Sequence, residues 1–247
     1  MSTPLSAVLS HLFDDAGLFP PAKLPMAEAL AAHARALAGP HRNVVGPFLC
    51  PATRLAELDA CVASGAIRPA RLGVIGYAGR LDWRRVFATP GVVQAEAPLA
   101  AGMPPPPGRV VRYLELPHHG AVDEALDAVA AAAARAKVRC GGLTRDAVPT
   151  TEWLAAVLVG CAARDLVVKA TAGLHQPYRG DGAAGPHHGF VNLLAAAAAA
   201  RARRPVDEVA AVLATEEADA GDLAAPVGGT PALLGAGGTC SLDERLG

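Results

Sequence analysis

Residues 137–174 read KVRCGGLTRDAVPTTEWLAAVLVGCAARDLVVKATAGL. Two β-branched segments, 137–143 and 166–174, flank an alanine-rich segment at 151–164. Short β-branched runs favour strands, and a longer alanine-rich run favours a helix. A strand, a helix and a second strand in this order are typical of a βαβ unit, in which the two strands are parallel.

The same alternation continues on both sides of this unit. Further strands are expected at 43–50, 72–78, 92–97 and 110–116, and further helices at 51–64, 81–88, 121–136, 188–203 and 206–214. Two weaker strand segments, 7–13 before a helix at 25–38 and 233–240 near the C-terminus, bring the number of strands to eight. We therefore predict an α/β fold, a single-domain (β/α)8 TIM-type barrel over residues 1–247. An open, doubly wound parallel sheet is the competing architecture.

Composition excludes several classes of partner. The net charge is −1 and aromatic residues make up 4% of the chain, which argues against binding to nucleic acid or to an anionic membrane. The N-terminus lacks the pattern of a secretion signal, and no apolar run is long enough to span a bilayer. The five cysteines are odd in number and contain no CxxC, which favours reduced thiols. We expect a cytoplasmic protein, and homo-oligomerisation stays open.

Ionisable side chains occur inside the predicted strands, where a parallel barrel is buried on both sides. Charges in such positions are costly unless they are paired or used. If the relevant faces point inward, two acids and two bases converge: Glu96, Glu115, Arg139 and Lys169. Barrel enzymes do their chemistry at the C-terminal ends of the strands, which favours a functional interpretation. A structural network of salt bridges at the barrel mouth is the alternative.

Lys169 is the most informative of these residues, because the chain has only three lysines and this one lies between valines and small residues. Burial would favour the uncharged, nucleophilic amine. Thr171 shares its strand face, and His175 closes the strand, where an imidazole can shuttle protons near neutral pH. Lys169 would form a Schiff base or supply a fixed positive charge for a carboxylate, phosphate or enolate.

Three further segments supply candidate side chains. Asp14 follows the first predicted strand and, with Glu115, is a candidate acid–base or orienting carboxylate; a helix-capping acid is the alternative. Arg139 is the candidate anion clamp. The late glycine-rich loop 237–241 resembles a cradle for phosphate or carboxylate, with Gly238, Cys240 and Ser241 as binding residues.

Histidines leave a second chemistry open. His188 opens a predicted helix directly after the glycine-rich segment 180–186, which we expect to be a flexible loop. A metal site would take His175 and His188, but the chain has no HxH or HExxH motif. We therefore expect neither a metal nor another cofactor, and keep a metal-dependent hydrolase or lyase as the alternative.

Five motifs occur in an order similar to that of a family of uncharacterised bacterial TIM-barrel-like proteins: DDAGLFPPA (14–22), VRCGG (138–142), KATAGLH (169–175), HGFVNLL (188–194) and GGTCSLDE (237–244). The chain departs from that pattern at Gln176, where a second histidine is expected, and at Arg245, where proline is expected. The lysine strand also resembles the KTSTG-type strand of deoxyribose-phosphate aldolases, over about six residues. That second resemblance implies a Schiff-base lysine, whereas the first brings no activity.

Together these patterns predict a lyase of the aldolase type or an isomerase that acts on a small, anionic, carbonyl-containing molecule. Lys169 would be its centre and His175 its proton shuttle, while Thr171 and His188 would help to bind the substrate. A non-catalytic barrel that binds a small ligand is a further alternative.

Overall fold

The computed structural model describes residues 10–77, 81–118, 120–142, 144, 147–182, 185–216 and, for the backbone, 234–239. Its strands are β1 (Phe13–Asp15), β2 (Val45–Pro51), β3 (Leu72–Ile75), β4 (Val92–Pro98), β5 (Val111–Glu115), β6 (Arg135–Arg139), β7 (Val168–Thr171), β8 (Gly180–Gly182), β9 (Gly185–His187) and β10 (Leu234–Thr239). The helices are α1 (Met26–Ala38), α2 (Leu55–Ala63), α3 (Trp83–Ala88), α4 (Val122–Ala131), α5 (Thr151–Ala163), α6 (Phe190–Arg201) and α7 (Val206–Ala214). Strands and helices alternate as in an α/β fold, which is compatible with a TIM-type barrel.

The chain divides into two compact units, which we call the N-terminal unit (residues 9–114 and 238–247) and the C-terminal unit (residues 1–8 and 115–237). In the N-terminal unit, β1, β2, β3 and β4 pair in that order, and every pair is parallel. All seven residues of β2 are buried, as expected for an inner strand of a parallel sheet covered on both faces.

In the C-terminal unit, β7 lies between β6 and β10, and both pairs are parallel. The chain leaves β6 at its C-terminal end, passes through α5 and returns along β7, as in the predicted βαβ unit. The short strands β8 and β9 form an antiparallel hairpin between β7 and α6. Both α5 and α6 are apolar on most of their surface, with eight and six buried residues respectively, so tertiary packing dominates their stability.

Caps fix the starts of two helices. The Asp82 side chain accepts a hydrogen bond from the backbone N–H of Arg85 (3.1 Å), so Asp82 is the N-cap of α3. At α5 the capping oxygen belongs to Thr150, which accepts from the backbone N–H of Trp153 (3.1 Å). Thr151 instead occupies the first turn of α5, where it is buried.

Three segments differ from the sequence-based expectation. Asp14 lies within β1 rather than in a loop after the first strand. Helix α4 ends at Ala131, and β6 begins at Arg135, whereas the helix was expected to continue to residue 136. Ala133 adopts a φ of 48°, which ends the helix without the glycine that usually takes this conformation.

The third difference is the segment 180–186, which contains strands β8 and β9 where we expected a flexible loop. Its base is tied down by Asn192 of α6, which is fully buried. The Asn192 side chain accepts from the backbone N–H of Arg179 (2.9 Å) and donates to the carbonyls of Val212 (3.0 Å) and Thr215 (2.8 Å). One amide thus links the hairpin to α6 and to the end of α7.

Candidate functional site

Lys169 is fully buried at the middle strand of the C-terminal unit. The register places Lys137 of β6 opposite Lys169 on one side and Ala236 of β10 opposite it on the other. Partners in a parallel register point to the same face, so the two lysines extend from adjacent strands on one face of the sheet. Their strands lie about 4.8 Å apart, as in any hydrogen-bonded sheet.

Lys137 forms an ion pair with Glu115, with 2.8 Å between Nζ and Oε2. The Lys137 side chain is 6% exposed and that of Glu115 is 22% exposed, so the pair is largely shielded from water. Sequence reasoning named Glu115 as a companion of Lys169 and Arg139, and did not single out Lys137. The structure therefore pairs Glu115 with Lys137, a residue that was not predicted to belong to the site although it lies in a predicted strand.

Arg139 and Thr171 are register partners at the C-terminal ends of β6 and β7. Alternation along each strand puts them on the same face as Lys137 and Lys169. The Thr171 hydroxyl donates to the carbonyl of Val138 (3.2 Å), which anchors it to the neighbouring strand. Both residues are partly exposed, in contrast to the buried lysines. The face therefore runs from a buried pair of lysines to accessible polar side chains at the strand ends.

Beyond these strand ends, the backbones of Gly141 and Gly173 approach each other closely. A Cβ atom at either glycine would lie 2.8 Å from the Cα atom of the other, and Gly173 has a φ of 72°. No other residue fits either the contact or the dihedral angle without strain. The two glycines therefore hold the loops after β6 and β7 together.

His188 lies at the same edge, just before α6, and is fully buried. Its Nε2 atom lies 2.8 Å from the carbonyl oxygen of Pro149, in the loop between β6 and α5. A carbonyl can only accept, so Nε2 carries the proton and Nδ1 presents a lone pair. Among the described residues, Nδ1 has no hydrogen-bond partner. Burial lowers the pKa of His188, and the charges of Arg179 and His187 lower it further, against the opposing effect of the Pro149 carbonyl.

His175 is exposed, four positions beyond the end of β7. Its backbone N–H donates to the carbonyl of Gly173 (3.0 Å), which closes the turn after the strand. Gly238 lies in β10, whose backbone alone is described, and Cys240 and Ser241 lie outside the described residues. The predicted roles of these four residues stay predictions.

The N-terminal unit holds a separate group of buried polar side chains. Asp14 and Glu96 are fully buried, and the amide of Gln94 donates to both of them, at 2.6 Å to Asp14 Oδ2 and 3.2 Å to Glu96 Oε1. Gln94 thus bridges two candidate acids whose segments are far apart in the sequence. The polar side chains of β4 are visible in the sequence. Their contact with Asp14 could not be predicted, because it depends on the order of the strands in the sheet.

Asp15, the neighbour of Asp14, makes a second buried contact in this unit. Its Oδ2 lies 2.9 Å from Nδ1 of His33, and its Oδ1 accepts from the backbone N–H of Gly17 (3.0 Å). His33 also packs edge-on against Phe48. Sequence reasoning missed His33, because a lone histidine in an alanine-rich helix carries no pattern. The contact joins α1 to the end of β1.

Neither the thiols nor the carboxylates of the described residues form a metal centre. No group of three or more His, Cys, Asp or Glu residues in that part of the chain is placed to hold a metal ion. Cys50, Cys140 and Cys161 are buried, and burial raises the pKa of each thiol to about 12. Such thiols are poor nucleophiles near neutral pH. No described helix is long and apolar enough to cross a membrane.

No family model matches this chain, and no curated protein or solved structure does. The chemistry proposed below therefore rests on the geometry of the chain's own residues.

Proposed function

We propose that this protein is an enzyme that acts on a small, anionic, carbonyl-containing molecule, by lyase chemistry of the aldolase type or by isomerisation. We further propose that the chain is a single-domain (β/α)8 barrel. The observation that carries the enzymatic proposal is the placement of Lys169, fully buried and opposite Lys137 in the register of two parallel strands.

We propose different roles for the two lysines, starting from the ion pair between Lys137 and Glu115. A carboxylate at 2.8 Å favours the ammonium form of Lys137. A second ammonium on the neighbouring strand is disfavoured by like-charge repulsion and by burial. We propose that Lys169 reacts as the uncharged amine, which is the form that attacks a carbonyl carbon. Lys137 stays the local cation.

The strand ends supply groups for binding an anion. Arg139 presents a planar guanidinium that suits a carboxylate or phosphate, and Thr171 adds a hydroxyl beside it. Both are partly exposed, so a ligand can reach them from the edge of the sheet. His175 and the segment that holds Gly238, Cys240 and Ser241 are proposed to complete the site. We place the enzyme in the cytoplasm, which agrees with the free thiols of Cys50, Cys61, Cys140 and Cys161.

Borohydride trapping tests this proposal. The wild-type protein is incubated with pyruvate, or with acetaldehyde as the uncharged comparison, and then reduced and digested for mass spectrometry. We expect a reduced adduct on Lys169 with pyruvate, less with acetaldehyde, and none in the Lys169→Met variant. Lys137→Met serves as the matched variant on the adjacent strand, and it should still be modified at Lys169 but more slowly. An adduct at Lys137 alone, or none on any lysine, would contradict the proposal.

A non-catalytic barrel that binds the same ligands is the competing function. Calorimetry with pyruvate on Lys169→Met separates the two. A catalytic lysine predicts that the variant still binds the carboxylate while trapping is lost. If the wild-type protein binds pyruvate but forms no covalent adduct with it, the result would favour a non-catalytic binding protein.

A further inference from the structure

Two buried polar atoms at the loops after β6 and β7 lack partners among the described residues. They are Nδ1 of His188 and Nε1 of Trp153. A buried polar group without a partner is energetically unfavourable, because it has lost its hydrogen bonds to water. Such groups in a folded protein need an explanation, and a ligand that supplies the missing partners is one.

The two atoms have opposite hydrogen-bonding roles, one as an acceptor and one as a donor. His188 donates through Nε2 to the Pro149 carbonyl (2.8 Å), so its Nδ1 is an acceptor with a lone pair. The indole N–H of Trp153 is a donor only. Trp153 lies in the first turn of α5, whose N-cap Thr150 directly follows Pro149. A ligand that carries hydroxyl groups can both donate to His188 and accept from Trp153.

The chain also brings His188 to the edge where β7 ends. The backbone N–H of Phe190 donates to the carbonyl of Gln176 (3.0 Å), and Gly189 pairs with Gln176 in an isolated parallel bridge. Gln176 follows Thr171, the last residue of β7, by five positions. His188 is therefore held at the C-terminal edge of the strand that carries Lys169, within the same unit.

We propose that His188 is the general base of this site, and that its Nδ1 atom accepts the proton of a hydroxyl group β to the substrate's carbonyl. This inference rests on the proposed function and narrows the substrate class to β-hydroxy carbonyl compounds that carry an anionic group. His188 suits this role because its tautomer is already set and because it is neutral in its buried position.

The chemical step balances without any further reagent. The uncharged amine of Lys169 condenses with the substrate carbonyl, takes up one proton from solvent and releases water, which leaves a protonated imine; hydrolysis at the end of the cycle returns that proton to solvent. His188 Nδ1 removes the proton of the β-hydroxyl, the O–H electrons form the carbonyl of the departing aldehyde, and the carbon–carbon bond breaks. The electrons of that bond move to the imine and give an enamine on Lys169. The proton on His188 returns to the enamine carbon, and water hydrolyses the resulting imine.

The probes that test this inference are 4-hydroxy-2-oxobutanoate, whose cleavage gives formaldehyde and pyruvate, and pyruvate itself. The central variant is His188→Gln, whose amide can still donate to the Pro149 carbonyl. His187→Gln is the matched control at the adjacent, partly exposed histidine. We expect His188→Gln to retain borohydride trapping of pyruvate on Lys169 within about twofold, and to lose about 10²–10⁴-fold in cleavage rate. His187→Gln should keep both.

A second measurement separates this inference from the proposed function. ¹⁵N NMR of histidine-labelled wild-type protein should show His188 with a proton on Nε2 and none on Nδ1, and the Nδ1 resonance should shift on addition of 4-hydroxy-2-oxobutanoate. If the wild-type protein traps no pyruvate but this shift occurs, the Schiff base is wrong and hydroxyl recognition by His188 stands. If trapping occurs while His188→Gln cleaves at the wild-type rate, the role of His188 is wrong and the proposed function stands. A proton on Nδ1, or no shift with the probe, would overturn the inference in either case.

Should His188→Gln fail to fold, the NMR measurement on the wild-type protein still decides. Trp153→Phe then provides the second variant, because it removes the indole N–H and keeps an aromatic ring. It should raise KM for 4-hydroxy-2-oxobutanoate with little change in pyruvate trapping. An unchanged KM would remove Trp153 from the site.

Discussion

The contact between Lys137 and Glu115 combines a strong charge interaction with incomplete burial. Lys137 is 6% exposed at its side chain and Glu115 is 22% exposed, so removal of one partner leaves the other poorly solvated. Water at Glu115 reduces that penalty below the value for a fully buried pair.

We therefore expect Lys137→Met to lower the free energy of unfolding by about 1–3 kcal/mol. The double variant Lys137→Met/Glu115→Gln should recover part of this loss, because no stranded carboxylate remains. Urea denaturation of the two single variants and the double variant measures the coupling energy. The same cycle on the exposed pair of Arg204 and Glu208 (3.4 Å) is the control and should give less than about 0.5 kcal/mol. Equal coupling energies for the two pairs would contradict the expectation that the pair of Lys137 and Glu115 contributes more to stability than an exposed pair.

His188 has a consequence for stability as well as for chemistry. Burial lowers its pKa below the ordinary value of 6.5, so the unfolded chain binds a proton that the folded protein excludes as pH falls through this range. Stability should therefore decrease as pH falls below about 6.5 and level off once the pH is below the folded-state pKa. His188→Gln should show a shallower decrease between pH 7 and 5, measured by thermal unfolding. His41→Gln, at an exposed histidine, is the control, and parallel curves for all three proteins would refute the expectation.

At the scale of elements, the loops after β6 and β7 depend on the contact between Gly141 and Gly173. An added Cβ at Gly173 would lie 2.8 Å from the Gly141 Cα and 3.0 Å from the carbonyl oxygen of Cys140, at a φ of 72°. Gly108 has a similar φ of 64° and nothing within 4 Å of an added Cβ.

A comparison of Gly108 with Gly173 separates the cost of a positive φ from the cost of crowding. We expect Gly108→Ala to lower the free energy of unfolding by about 1 kcal/mol through its dihedral angle alone. Gly173→Ala should cost about 1–3 kcal/mol more, because neither of the two backbones can move away as a side chain would. Chemical denaturation of both variants measures the difference. Equal losses would show that the close approach contributes nothing.

The elements also show what a single sequence can predict. The strands β2, β4 and β7 overlap their expected segments because β-branched runs there are bounded by clear helices or turns. The predicted start of β6 was wrong because residues 131–136 are alanine-rich and favour a helix. The residue that ends α4, the left-handed Ala133, is neither glycine nor proline, so the sequence does not mark the end of the helix. The hairpin in segment 180–186 was missed since its glycines indicate flexibility when the anchoring Asn192 is not known.

The candidate site was predictable only in part, because some of its contacts join different strands. Lys169 stands out because a lysine inside a valine-rich strand is unusual, and His188 because it stands at the start of a predicted helix. The pairing of Lys137 with Glu115, and the bridge of Gln94 between Asp14 and Glu96, depend on which strands are neighbours and in what register. Periodicity within one segment contains no information on either.

At the scale of the whole molecule, the cysteines report on packing. Cys50, Cys140 and Cys161 are buried, with thiol pKa values raised to about 12, whereas Cys61 is partly exposed. In a Cys240→Ser background, Ellman's reagent at pH 8 should label one thiol per native chain, at Cys61, and four after denaturation. Cys61→Ser in the same background is the control and should leave no rapid reaction. Rapid labelling of Cys140 or Cys161 would show that the C-terminal unit opens far more readily than its packing indicates.

The hydrogen bond from His188 ends on the main chain of Pro149, and this affects how the contact responds to inherited variation. A main-chain carbonyl is present whichever amino acid occupies position 149, so no missense change there deletes the acceptor itself. A missense change at 188 always deletes the imidazole. A missense mutation can therefore remove one of the two bonding groups directly only at position 188. Selection on the histidine tautomer would act on that one codon rather than on a coevolving pair.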